Sequence, residues 1–190
     1  MTNVTRPFAI WMTGLPCAGK TTIAKNLKKF ITDLAVLDGD ELREWLPTKN
    51  DFSKKGRCEH NRAVAHIAKL LLEHNISVCV SLVSPYNENR ETARAIIGDG
   101  YRFIELYIKC SLSICEMRDV KGLYKRARKG EIKQFTGVDD VYEVPSKPDL
   151  IIDTENTTLE CAIGCILEYL HEAELVSYSK GLSKFRNSKT

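Results

Sequence analysis

The segment GLPCAGKTT, residues 14–22, follows the apolar run FAIWM and precedes the helical pattern IAKNLKKFI. Gly14, Gly19, Lys20 and Thr21 match the spacing G-x-x-x-x-G-K-[ST] in the strand-to-helix context that this motif requires. Its glycines let backbone amides close around an anion, and the first turn of a helix adds unpaired N–H groups and the positive end of a dipole. The chemistry implied is capture of a nucleotide's phosphates by Gly14, Leu15, Pro16, Cys17, Ala18, Gly19, Lys20, Thr21 and Thr22. Lys20 is expected at the β and γ oxygens and Thr21 at a Mg²⁺ ion. The loop alone leaves the class open, because kinases, GTPases and ATPases share it. DVKG at 119–122 and SKPD at 146–149 imitate guanine-nucleotide motifs, but the first follows a helical run and the second has Ser where Asn is required.

Three further segments carry groups able to act on a bound phosphate. LDGDELR, residues 37–43, places Asp38 and Asp40 where a second strand should end, facing the phosphate loop. Two carboxylates there can hold Mg²⁺, directly or through water, and take a proton from an attacking hydroxyl. The same residues read equally well as a strand-ending turn with an N-capping Asp. DFSKKGRCEHNR, residues 51–62, sets Phe52 beside Arg57, His60 and Arg62 ahead of a helix. An aromatic ring among cations suits a flat anionic ligand, and a hydrophobic staple with a solvated basic face is the competing reading. SLVSPYNENR, residues 81–90, closes a third strand at Ser84-Pro85, where the proline fixes the turn and leaves the Ser84 hydroxyl and amide at the sheet edge. The segment supplies no obvious activating base, so Ser84 reads as a ligand contact or N-cap ahead of a nucleophile.

These segments need a scaffold that brings strand ends together. β-rich runs at 8–14, 35–38, 77–83, 103–109 and 150–153 alternate with apolar residues at three- and four-residue spacing over 20–32, 58–74, 87–98, 111–119 and 157–173. The alternation predicts an α/β fold, a parallel sheet of about five strands with helices on both faces and ligands at the carboxyl ends of the strands. Residues 119–148 are polar, basic in their first half and too long for a passive connection, which predicts a lid. A single domain over 1–174 is expected, followed by a basic, flexible tail over 175–190. With 43% hydrophobic and 28% charged residues and a formal charge of +3, the chain reads as soluble and globular, and nothing in that balance requires nucleic acid or a membrane as partner. Seven cysteines without metal-pair spacing predict a reducing compartment. No apolar run reaches the ~18 residues of a membrane span, so a cytoplasmic protein is expected.

In order along the chain, from residue 8 to about 172, GLPCAGKTT, LDGDELR, FSKKGR, SLVSPY and RDVKGLYKRARKGEIKQFTGVDDVYEVP resemble the adenylylsulfate kinase family. Most of the specificity lies in KGLYKRARKGEIKQFTG followed by YEVP. The resemblance implies a P-loop NTPase fold, a homodimer, and transfer of the γ-phosphoryl of ATP, with Mg²⁺, to the ribose 3′-hydroxyl of adenosine 5′-phosphosulfate. It implies that the acceptor's adenine lies between Phe52 and Phe135, and that Asp40 approaches the 3′-hydroxyl as general base and Mg²⁺-linked group with Asp38 in support. Arg43 and Arg57 then contact the phosphosulfate and Lys121 contacts the acceptor from the lid. His60, Val83 and Gln134 fall at further acceptor positions, and Arg118 beside the ATP phosphates. Ser84 falls at the family's phosphoserine position; because direct in-line transfer is simpler, its expected role is chiefly binding.

The chain departs from the family pattern FSxxDRxxNIRR at Gly56, His60, Asn61 and Ala63, and has Asn87 and Asn89 where Arg and Asp are usual. These changes leave a kinase of the same fold acting on another nucleotide conjugate as the nearest alternative. A nucleotide-binding module without turnover is the other, against which stand Lys20, Thr21, Asp38 and Asp40.

Overall fold

Alternation of side chains along a strand sends successive residues to opposite faces, so a strand covered on both sides must be apolar throughout. FAIWMT is such a strand. In the computed structural model, which describes residues 2–46, 52–98 and 100–178, it forms β2 (Phe8–Thr13) at the centre of a parallel sheet. Phe8, Ile10 and Met12 enter one core, and Ala9 and Trp11 enter the other. The sheet is completed by β3 (Leu34–Asp38), β4 (Ser77–Ser81), β5 (Arg102–Lys109) and β6 (Leu150–Asp153), in the order β3-β4-β2-β5-β6. All five sequence-predicted strands are therefore present and parallel.

The two cores are closed by helices whose apolar residues recur at helical spacing. Ile23, Ala24 and Leu27 of α1 (Lys20–Leu27) and Ile163, Ile166, Leu167 and Leu170 of α7 (Leu159–Glu172) cover one face. Val64, Ala65, Ala68 and Leu72 of α3 (Lys54–Glu73), with Ala93 and Ile97 of α4 (Asn87–Ile97), cover the other. The consequence for function lies in the two neighbouring strands β2 and β4. The chain leaving β2 turns into α1 on one face, whereas the chain leaving β4 turns into α4 on the opposite face. The connections diverge, and a crevice opens at the carboxyl ends between the phosphate loop and the Ser84 turn, where open α/β sheets bind ligands.

Three further helices complete the described residues, two of them not read as helices from the pattern. α2 (Gly39–Trp45) starts on the segment taken as a site loop, α5 (Leu112–Arg118) fits its expected range, and α6 (Leu123–Arg128) stands inside the expected lid. Residues 119–148 are packed down as well: Tyr124, Phe135 and Thr136 are buried, and the Tyr124 hydroxyl donates to the carbonyl of Pro16 at 3.1 Å. The far end is clasped by Arg90, which donates to the carbonyls of Ser84 and Glu143, while Glu143 N–H donates to the carbonyl of Pro85.

The boundary at 174 needs correction. A short antiparallel ribbon of β1 (Thr2–Val4) and β7 (Val176–Tyr178) joins the two ends of the chain, and Leu175 and Val176 are buried. Pairing with β1 supplies the backbone partners that keep this stretch out of the tail, so the fold continues to Tyr178. The remainder of the expected tail, 179–190, lies outside the described residues. No helix among the described residues is long and apolar enough to cross a membrane.

Candidate active site

The phosphate loop is shaped by its backbone. Gly14 adopts φ 154°, and a Cβ there would lie 2.4 Å from the carbonyl oxygen of Ile108 on β5, so the strand next door leaves room only for glycine. Cys17 and Gly19 take positive φ as the loop bends into α1. Ala18 is buried, while Leu15, Pro16 and Cys17 are half-buried and Thr22 is exposed. Lys20 curls back over the loop, its Nζ donating to the carbonyls of Gly14 at 2.8 Å and Leu15 at 2.7 Å. Burial pulls its ammonium down to about 8. A buried cation held by two neutral carbonyls is a ready partner for an anion arriving in the loop.

Asp38 is the N-cap of its alternative reading, and its second oxygen faces the phosphate loop. Its Oδ1 accepts the backbone N–H of Asp40 as the N-cap of α2, and its Oδ2 accepts the Thr21 hydroxyl at 2.6 Å. Ser81 Oγ, at the end of β4, lies 3.2 Å from the same hydroxyl. Asp40, in the first turn of α2, has a side chain 66% exposed and bonds Lys121 Nζ at 2.7 Å. That bond is the main influence raising the Lys121 ammonium. The pair joins α2 to the segment ahead of α6 and, being exposed, contributes little to stability.

Arg118 sits beside the phosphate loop through a residue that sequence reasoning missed. Its guanidinium donates to Thr154 Oγ1 at 3.2 Å and to the Thr154 carbonyl at 2.7 Å, and the Thr154 hydroxyl in turn donates to the carbonyl of Ala18 at 2.8 Å. The signal for Thr154 was available, since it directly follows LIID just as Asp38 closes its own strand.

The residues that the family resemblance places around the acceptor are engaged with one another. Phe52 is half-buried with the Arg43 guanidinium 5.6 Å and the Arg57 guanidinium 5.2 Å from its ring centre. Arg57 is 5% exposed, and its Nε donates to the Phe52 carbonyl and its Nη2 to the Gln134 carbonyl, both at 2.9 Å, with Asp140 3.7 Å away. It is a strut between Phe52 and Gln134, a role beyond the phosphosulfate contact implied by the family resemblance. Burial lowers its guanidinium. Gln134 is exposed at φ 56°, and its N–H donates to Asp139. Phe135 departs most from expectation. It is 3% exposed, with its ring edge-on to the buried Tyr124 of α6 at 5.0 Å between centres. In this arrangement Phe135 is a core residue, unavailable as the second face of an aromatic sandwich.

Val83 is half-buried, and its carbonyl accepts the Thr13 hydroxyl at 2.8 Å. Ser84 is 1% exposed at φ 40°; its hydroxyl accepts Trp11 Nε1–H at 3.0 Å and donates to Asn61 Oδ1. His60, on α3, is fully buried against the backbone of Gly39 with Arg43 and Asp40 nearby, and among the described residues neither ring nitrogen meets a partner with hydrogen-bond geometry. Desolvation first, then Arg43, pushes the imidazole down to about 4.

The His60 environment gives a pH signature. Between about 4 and 6.5 the unfolded chain binds a proton at His60 that the folded chain refuses, so stability falls as pH drops through that window, by at most about 3 kcal/mol. Thermal unfolding of His60→Asn alongside the unsubstituted protein at pH 7 and pH 4.5 is expected to show a smaller acid-induced loss for the variant. Equal losses would mean that the imidazole is charged in the folded state.

Among the described residues no three His, Cys, Asp or Glu side chains gather as a metal cluster. All seven cysteines are free.

With this geometry in place, comparison with known proteins is informative. The family model described as Adenylylsulphate kinase matches residues 6–153. The adenylyl-sulfate kinase of Staphylococcus haemolyticus is 40% identical over 178 residues, 92% of this chain and 89% of that one. That of Halothermothrix orenii is 44% identical over 167 residues, 86% of this chain and 89% of its own. Among solved structures, the Mycobacterium tuberculosis APS kinase CysC in complex with AMPPNP and APS superposes with a TM-score of 0.81 at 38% identity, covering 87% of this chain and 98% of that one.

Proposed function

From the chain's membership of the adenylylsulphate kinase family, we propose that it transfers the γ-phosphoryl group of ATP to the ribose 3′-hydroxyl of adenosine 5′-phosphosulfate, giving 3′-phosphoadenosine 5′-phosphosulfate and ADP. The observation that carries the residue assignments is the run of contacts from Thr21 to Asp38, and from Asp40 of the same turn to Lys121, which ties the donor loop to the lid across one side of the crevice.

Lys20 exchanges its two loop carbonyls for the β and γ oxygens of ATP and offsets the charge that shifts to the leaving group. Arg118, held by Thr154 at the rim of the loop, supports the same phosphates in cis. Asp40 takes the proton of the 3′-hydroxyl, and Lys121 leaves it for the acceptor when the acceptor arrives. Phe52, flanked by Arg43 and Arg57, offers one face to the adenine. A second face from Phe135 would require the ring to leave Tyr124 as the segment 119–148 rearranges over bound nucleotide, a motion that also excludes water as a competing acceptor. Val83 and Gln134 border the acceptor side, Val83 through the turn that its carbonyl stabilises, and the buried His60 supports it from behind, beside Arg43.

The hydroxyl and carboxylate oxygens of Thr21 and Asp38, with Asp40 close by, fit Mg²⁺. Bound with ATP, the ion would neutralise phosphate charge. Because the Ser84 hydroxyl is already engaged as donor and acceptor, transfer is assigned as direct and in line. The active species is proposed to be a homodimer in the cytoplasm, with sedimentation measuring the first point.

With γ-labelled ATP and adenosine 5′-phosphosulfate, the label is expected in a nucleotide bearing a 3′-phosphate. Label released only as inorganic phosphate would identify an ATPase.

A further inference from the structure

Asn61 lies on α3 between the two halves of the acceptor side, and nothing in the transfer chemistry requires it. It is buried, and both ends of its amide are used: Nδ2 donates to the carbonyl of Arg57 at 2.8 Å, which leaves Oδ1 to accept the Ser84 hydroxyl. The other side of that hydroxyl is filled by Trp11 Nε1–H at 3.0 Å, from a fully buried indole on β2. Ser84 is held at φ 40°, a region that residues other than glycine enter rarely and keep only when their surroundings fix it. Its carbonyl is fixed as well, by Arg90 Nη1–H at 2.7 Å.

We propose that Asn61 is a positioning residue for the acceptor. Acting through Ser84, it locks the turn after β4 to the helix that carries Arg57, and so makes the Ser84 hydroxyl a structural pin with no proton to give up in phosphoryl transfer. Its effect falls on the acceptor because the turn and Arg57, which holds Phe52 and Gln134, are the parts it joins. The donor loop meets the same turn at one backbone bond, Gly14 N–H to the carbonyl of Val83, and has ties of its own by Thr154 to Ala18 and by Tyr124 to Pro16. The proposal rests on the reading that the β4 turn and Phe52 flank the acceptor.

The test is a double-mutant cycle of Asn61→Leu and Ser84→Ala. Each single variant is expected to raise KM for adenosine 5′-phosphosulfate about tenfold with KM for ATP within about twofold, and the double variant to match the singles, since the two groups act as one unit. Unchanged acceptor KM, or effects that multiply in the double variant, would overturn the proposal. Thermal midpoints of the same four proteins read the coupling without any substrate, so inactivity of the unsubstituted protein would remove the assigned reaction and leave the pin under test. Should the variants fail to fold, the unsubstituted protein still decides. Incubated with labelled ATP alone, it is expected to carry no phosphate on Ser84 by mass spectrometry, and phosphoserine at 84 forming as fast as turnover would refute the pin.

Discussion

Replacing Asp40 with Ala is expected to cut turnover about a thousandfold while leaving ATP affinity within a few-fold. A positioned general base contributes roughly 10²- to 10⁴-fold to a proton transfer, and no other carboxylate on α2 is bonded to the lid lysine. The variant is clean because the Asp40 side chain is exposed and its one ion pair contributes little to folding. The neighbouring Asp38 would be a poorer choice, since it caps α2 and holds Thr21, so that its loss would cost about 1 kcal/mol of stability along with any chemistry. Steady-state ADP release, with ATP affinity from calorimetry, separates the two quantities. Near-normal turnover would remove Asp40 from the mechanism.

Lys20→Ala should be comparably damaging, by a different route. The ammonium is buried in the loop, donating to the Gly14 and Leu15 carbonyls, so it stands where the β and γ oxygens would lie, and Arg118, tied to Thr154 at the rim, would not replace it there. Loss of a pre-positioned cation or donor from a phosphoryl-transfer site costs on the order of 10²- to 10³-fold. The effect is expected in kcat/KM for ATP, with the circular dichroism spectrum unchanged. A kcat/KM within threefold of the unsubstituted protein would show that the loop binds nucleotide through backbone amides alone.

Most of the central sheet and the donor half of the site were legible from residues in sequence. The FAIWM and VCV stretches of β2 and β4 are apolar without a break because both their faces are buried, and that continuity is a local property of the chain. The loop 14–22 announced itself through glycines whose need is steric, as Ile108 shows at Gly14. The acceptor half was harder to read. Whether Arg57 meets solvent or the carbonyls of Phe52 and Gln134 depends on residues far apart in sequence, and Phe135 is withdrawn by a contact with Tyr124 that no spacing rule forecasts. The ribbon of Thr2–Val4 and Val176–Tyr178 escaped notice for a similar reason, since strands this short carry no periodicity and form by pairing the two ends of the chain. α2 was half visible: the N-capping role of Asp38 was recognised as an alternative to a metal-site role, and the structure gives that one carboxylate two bonds at once.

The departures at Gly56, His60, Asn61, Asn87 and Asn89 all fall on the acceptor side, so the identity of the acceptor is where the assignment is most exposed. ADP release should therefore be followed at saturating MgATP over a panel containing adenosine 5′-phosphosulfate, AMP, other nucleotide conjugates and no acceptor. Turnover with the phosphosulfate, at least a hundredfold above every other member, is the expected result. Turnover confined to a different conjugate, or ATP binding without turnover on any acceptor, would contradict it.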